Sequence, residues 1–294
     1  MGVQWTSMRS LFVTAILLFS SFSFAQDSIK LTSWNIEWLS INGGKVSRTP
    51  QDFIKLNHYV DKTDIDVLAF QEVESHGAIS KVVGSEYTIY LSDRAQPSHR
   101  HLQFNDTNQY TGFAVRKGID VDDRPDFSIT QGNSKLRFAS YIVLNPNKDN
   151  ETHLLSVHLK AGCSGAYRNN RDCKIVKQQG QVLAKWIKAR EDNKQHYVVL
   201  GDFNHNLGYR GDWLWEVLSN NTDARLVTKN TKAECKVRSN RNPNKTHQFR
   251  SVIDHIIASG DLKTSPGIQT VFKSQDVLDY KLSDHCPVST ILSF

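Results

Sequence analysis

The chain has 294 residues, with 36 Lys and Arg against 30 Asp and Glu, a formal net charge of +6. That length fits one large domain or two small ones. No Pro-, Ser- or Gly-rich tract divides it, which favours one domain, and beyond residue 25 no segment is long and apolar enough to span a membrane.

The first predicted element is a targeting signal outside the fold. Arg9 precedes an apolar run from Leu11 to Phe19, and Ser23-Phe24-Ala25 supplies the small residues of a cleavage after Ala25. The run is short against the ~20 residues of a bilayer span. Residues 26–294 are therefore expected as a periplasmic or secreted domain, without stable membrane insertion.

Within that domain one pattern occurs twice. Residues 29–39, IKLTSWNIEWL, alternate apolar and polar positions like a strand. Thr49 and Pro50 read as N-cap and first residue of a helix, with Phe53, Leu56 and Val60 on one face. Residues 66–73, DVLAFQEV, are a buried strand with Glu72 near its end. The second half repeats the order: a strand at 153–162 holding His158, an amphipathic helix marked by Ile175, Val176, Gln179, Leu183, Trp186 and Ile187, and a buried strand at 196–204 running into Asp202 and Asn204. Shorter alternating runs occupy 87–92, 111–116, 136–144 and 252–259. Two packed sheets flanked by helices accommodate this strand count.

The four cysteines fit an oxidising compartment. Cys163 and Cys173 bracket a short polar stretch easily closed by a bridge. Cys163–Cys173 with Cys235–Cys286 is the preferred pairing among the three connectivities, between which sequence does not choose. From Lys229 to Arg250 there are seven Lys and Arg and one acid, Glu234. This polar segment reads as a loop, either a solvated surface or a phosphate contact.

Polar residues interrupt the buried strands in a consistent chemical set: Asn35 and Glu37 in SWNIEW, Glu72 in FQEV, His158 in SVHLK, Asp202 and Asn204 in GDFN, Asp254 in IDHI, Asp284 and His285 in SDHCP. A charge in an apolar strand costs several kcal/mol, as a rough estimate, unless it is paired or metal-bound. Convergence on one site explains the recurrence better than separate ion pairs. In order and spacing, WN-x-E, QEV, GDFN and SDH resemble the motifs of the endonuclease/exonuclease/phosphatase superfamily, which includes deoxyribonuclease I, from residue 29 to the chain's last residues.

The resemblance implies a four-layered α/β sandwich, two mixed β-sheets packed face to face and flanked by helices. It implies a metal end formed by Asn35, Glu37 and Glu72, with Asp284 as a further contact. That oxygen set suits Mg²⁺, and Mn²⁺ and Ca²⁺ share the preference. His285 is implied as general base oriented by Asp254, Asp202 and Asn204 as holders of the water and a phosphoryl oxygen, and His158 as a phosphate donor. Tyr110 corresponds to a phosphate-contacting tyrosine, though an ordinary strand-edge aromatic reads as well. Arg137 is a candidate phosphate clamp. His255 should face away from the site by strand alternation, and Trp34 and Trp38 read as core.

The implied activity is an exported Mg²⁺-dependent phosphodiesterase, most readily a nuclease acting on DNA or RNA; the alternative is a sphingomyelinase or another small phosphodiester or phosphomonoester hydrolase, since one catalytic set serves all of these. The basic segment, with Arg168 and Arg171, favours a nucleic-acid substrate. A sphingomyelinase would expose an apolar hairpin, whereas the insertions at 93–108 and 229–250 are polar. A non-catalytic binding protein would have lost motif residues, and none is missing. No protein partner or oligomeric state is implied.

Overall fold

The computed structural model describes residues 1, 2 and 28–294; the expected leader falls almost wholly on residues 3–27, outside the described residues. The first half runs β1 (Ser28–Leu39), α1 (Pro50–Thr63), β2 (Val67–Val73), α2 (His76–Val83), β3 (Tyr87–Leu91), β4 (Tyr110–Arg116) and β5 (Val121–Ser128). Next come β6 (Phe138–Leu144), β7 (Thr152–His158), α3 (Arg171–Asp192), β8 (His196–Asp202) and α4 (Trp213–Ser219). The short strands β9 (Arg225–Leu226), β10 (Lys236–Arg238) and β11 (Thr246–Gln248) lead to β12 (Asp254–Ala258). The chain closes with β13 (Lys263–Thr264), β14 (Ile268–Gln269), α5 (Ser274–Asp279) and β15 (Val288–Ser293).

These strands form two large mixed sheets. A seven-stranded sheet runs β13-β15-β1-β2-β4-β3, with β14 also on β15, and a six-stranded sheet runs β5-β6-β7-β8-β12-β9. The two expected strand–helix–strand units supply the parallel pairs, β1 with β2 and β7 with β8. A parallel pair needs a crossover, and α1 and α3 provide them. Between the sheets lies an apolar layer that includes Leu31, Ala69, Phe113, Leu154, Val198, Leu200 and Ile256. A second core packs α1 and α2 on the outer face of the first sheet, and a third packs α3 and α4 on the second. The result is the four-layered sandwich.

Local chemistry sets the element boundaries. Thr49 Oγ1 accepts from the Asp52 amide and Asp52 Oδ2 from the Thr49 amide, a reciprocal cap that starts α1 where the sequence places it and stabilises it by about 1 kcal/mol. Asn170 caps α3 through the Cys173 amide at 2.9 Å. Gly201 permits the closest strand approach: its φ is +152°, and a Cβ there would stand 2.0 Å from the Val157 carbonyl oxygen.

Both preferred disulfides are present, Cys163–Cys173 and Cys235–Cys286. The second corrects the reading of 229–250 as a plain loop. Within it β10 and β11 form an antiparallel hairpin, tethered by Cys235 and by the buried side chain of Val237. Periodicity over three residues is too short to mark such strands. Among the described residues no helix is long and apolar enough to cross a membrane.

Candidate active site

The site lies where the two parallel pairs end. Register places His158 beside Asp202 and Asp202 beside Asp254, so three adjacent strands of the second sheet present three polar side chains at one edge. Asn35 and Glu72 come from the corresponding ends of β1 and β2 in the first sheet. There both ladders break register, between Asn35 and Leu39 and between Phe70 and Val73. Glu37, Trp38 and Glu72 take left-handed φ of 41°, 48° and 59°, and Asn204 takes 50°. Such conformations cost of order 1–3 kcal/mol each and gather where a fold must aim side chains.

Asp202 joins the halves. It is 1% exposed, and its Oδ2 accepts from Asn35 Nδ2 at 3.0 Å and Asn204 Nδ2 at 3.1 Å, while Oδ1 accepts from the Asn204 amide at 2.7 Å. Burial pushes its carboxyl up to about 7, against the pull of His285. His158 Nε2 stands 3.4 Å from Asp202 Oδ2 and 3.6 Å from Glu72 Oε1. Burial, with Arg137 and His285 nearby, holds its ring well below the usual histidine range and therefore neutral.

His285 comes from the loop before β15. Its Nδ1 is 2.8 Å from Asp254 Oδ2, and Nε2 faces Asp202 and Asp284 at 3.9 Å each. Burial alone would lower its pKa; the carboxylates of Asp254 and Asp202 outweigh that and raise it well above 6.5. Trp34 Nε1 donates to the His285 carbonyl at 3.0 Å, and Ser283 Oγ bridges the Asn35 carbonyl and the His285 amide. The loop is thus moored to β1.

At the other end Glu37, Glu72 and Asp284 crowd together. Asn35 Oδ1 accepts from the Glu37 amide, Glu72 Oε2 from the Trp38 amide, and Glu37 Oε2 from the Asp284 amide. Burial and then Asp284 push the Glu37 carboxyl up to about 7, with Arg48 pulling the other way. Negative charge here exceeds what its own residues neutralise, and every donor is oxygen. That set fits a hard divalent cation. Among the described residues Asp202, Asp254 and His285, rather than the Glu37, Glu72 and Asp284 set, bring three potential His or carboxylate ligand atoms within 4.8 Å of one another, and there His285 Nδ1 is already hydrogen-bonded to Asp254.

Arg137 Nη2 donates to the Leu159 carbonyl, and burial lowers its pKa to about 10 against the pull of Glu72 and Asp202. Tyr110 pairs with Val73, next to Glu72, and its ring lies 4.8 Å from the Arg94 guanidinium. His255 is structural, as read: Nε2 accepts from the Leu207 amide and Nδ1 meets Thr228. Trp34 is core, but Trp38 departs from the reading. It is half-buried, and Lys45 Nζ stands 3.8 Å from its ring centroid. Arg48, which the sequence did not single out, buries its side chain beside Glu37 and donates to the Leu282 and Ile36 carbonyls.

Comparison with known proteins agrees with the fold. The model of the Endonuclease/Exonuclease/phosphatase family matches residues 32–285. Among solved structures, TDP2 from C. elegans is 18% identical with a TM-score of 0.62, covering 91% of this chain and 75% of that one. An endonuclease/exonuclease/phosphatase from Bacteroides vulgatus is 13% identical with a TM-score of 0.63, covering 91% and 99%. A mannosyl-6-phosphatase from Bacteroides thetaiotaomicron is 14% identical with a TM-score of 0.60, covering 90% and 100%. At such identities the likeness is one of fold. Among curated proteins no relative matches.

Proposed function

The chain belongs to the endonuclease/exonuclease/phosphatase family, and on that premise we propose that it is an exported, metal-dependent phosphodiesterase acting on nucleic acid. The observation that carries the chemistry is the orientation of His285. Asp254 occupies Nδ1, so that nitrogen keeps its proton and Nε2 is the one that gains or loses the second; because Asp254 and Asp202 raise the ring's pKa, the form with Nε2 free to accept a proton gains as pH rises. A base held in this way by a carboxylate is a general device for activating a nucleophile.

In the proposed reaction His285 Nε2 takes a proton from water as the water oxygen attacks phosphorus in line. The ester P–O bond opposite breaks, and the departing oxygen is protonated from solvent. Asp254 stabilises the imidazolium. Asp202 and Asn204 orient the water and a phosphoryl oxygen, while Arg137, His158 and Tyr110 face the phosphate. Mg²⁺, or Mn²⁺ or Ca²⁺, held by Asn35, Glu37, Glu72 and Asp284 would stabilise charge on the phosphoryl and leaving oxygens.

Two disulfides support an extracellular or periplasmic setting. The polar, basic hairpin supports nucleic acid over a lipid surface. The test is incubation with plasmid DNA, RNA, sphingomyelin and a sugar phosphate, each with Mg²⁺ and with chelator. Metal-dependent nucleic-acid cleavage supports the reading. Hydrolysis of the lipid or the sugar phosphate with both nucleic acids intact overturns it.

A further inference from the structure

Beside the carboxylates lies a pocket of about 230 Å³ whose walls include Trp38, Lys45, Arg94, Phe104, Thr107 and Arg137. The chemistry above uses none of its aromatic surface. Two of its walls are fixed to the reaction centre. The Trp38 amide donates to Glu72 Oε2 at 3.1 Å, so the indole begins one bond network away from a proposed metal ligand. Arg137 belongs to both pocket and site, and its buried Nε has no hydrogen-bond partner among the described residues.

The far wall is built rather than loose. Arg94 is 1% exposed; its Nη1 donates to the Leu102 carbonyl and Asn108 Oδ1, and its Nη2 to the Gln109 carbonyl. Asn108 in turn clasps Phe104, accepting from its amide and donating to its carbonyl, at 2.9 Å each. Phe104 is held at the mouth with 47% of its surface exposed. A phenyl ring left in water contributes little to the fold, so this scaffold presents it outward.

Charge indicates what the rings receive. Lys45 Nζ lies over Trp38, and Lys135 Nζ lies 5.6 Å from the Phe104 ring centroid. With Arg94 and Arg137 these surround the rings with cations; among the described lining residues Asp106 alone is acidic. A quaternary ammonium headgroup, the usual guest of an aromatic cage, would be repelled. A polyanion carrying flat rings would not. Stacking on aromatics beside a basic track is how single strands are held, whereas a duplex keeps its base faces inside its own stack. Beyond His285 lies one more exposed ring, without the surrounding cations. Phe249, 41% exposed, lines a second pocket with Asp254, Asp284 and His285, at the root of the basic hairpin.

We infer that the Trp38–Phe104 pocket receives an unpaired nucleobase next to the scissile phosphate, so that the enzyme acts on single-stranded or locally unpaired nucleic acid in preference to intact duplex. This rests on the nuclease reading. Gln109 and Thr107, at the pocket wall, are the groups placed to hydrogen-bond the base edge.

The experiment compares a single-stranded oligonucleotide, its duplex, and single strands with an abasic spacer at each position flanking the cleaved bond. The single strand should be preferred, and one spacer should lower kcat/KM about 5- to 100-fold. Phe104→Ala and Trp38→Leu should each lower kcat/KM on the intact strand by a similar factor and make that spacer nearly neutral. A purely structural role for either ring would slow all substrates alike and leave the spacer penalty in place. Phe104→Ala, at an exposed ring, keeps the test open if Trp38→Leu fails to fold. Equal or faster duplex cleavage, or an unchanged spacer penalty in Phe104→Ala, overturns the inference and leaves the nuclease reading standing. Absence of cleavage of any nucleic acid overturns both.

Discussion

His285 Nδ1 lies 2.8 Å from Asp254 Oδ2, although the strand of one and the loop of the other are tied to different sheets. Asp254 opens β12 of the six-stranded sheet, and His285 leads into β15 of the seven-stranded one. The pair exists only when the sheets are packed, so the proposed base is a product of the whole sandwich.

His285→Ala should lower kcat by about 10²–10⁴-fold, with the fold intact by circular dichroism. Asp254→Asn should cost a comparable factor, because an amide can present its NH₂ to Nδ1 and so favour the wrong tautomer. Steady-state kinetics on a metal-saturated phosphodiester substrate checks both. Near-wild-type turnover in His285→Ala would remove the proposed mechanism.

Much of this was legible in the sequence because it is local. The capping box at Thr49, the two strand–helix–strand units and the polar interruptions of apolar strands are all set by neighbours within a few residues. What escaped depends on distant partners. Arg48 and Arg94 sit in polar stretches without periodicity, and carbonyls elsewhere in the fold bury them; for Arg48 that partner is Leu282. Glu37 and Trp38 take left-handed conformations without the Gly or Asn that usually announces one. Strands of two or three residues, such as β9, β13 and β14, have no period to read.

The Cys235–Cys286 bridge should matter to chemistry as well as to stability, since Cys286 adjoins His285 and Cys235 begins the basic hairpin. Cys235→Ser/Cys286→Ser should cost about 2–5 kcal/mol of stability and also lower kcat. Cys163→Ser/Cys173→Ser, away from His285, should reduce stability with a smaller effect on kcat. Denaturant titration alongside kinetics separates the two. Equal kcat losses would deny the first bridge a positioning role.

Gly201→Ala should destabilise by roughly 3 kcal/mol or more, because its Cβ would meet the Val157 carbonyl oxygen at 2.0 Å, beyond ordinary overpacking. β8 would have to move away from β7, and the register that sets His158 beside Asp202 would be lost with it. The urea midpoint and kcat should fall together. A fall in stability with full activity would show that the site tolerates that shift.

A pH effect on stability should come from His205, which is buried with Nδ1 at the Cys163 carbonyl and Nε2 at Asp212 Oδ2, 2.6 Å each. Burial lowers its pKa, but the hydrogen bonds and the Asp212 charge win, and it is raised above 6.5. The folded state therefore binds this proton more tightly than the unfolded one. The stabilisation is fully present below about 6.5 and is lost as pH rises through the folded value. His153, His158 and His255 carry the opposite sign, since burial lowers all three, so the wild-type curve alone mixes the two. Asp212→Asn removes the charge while an amide oxygen can still cap α4 at the Leu214 and Trp215 amides. Denaturant unfolding of both proteins from pH 5.5 to 9 should give a stability difference that is largest at the acid end and shrinks as pH rises. A difference that stays constant across the range would mean that His205 is not charged in the folded protein.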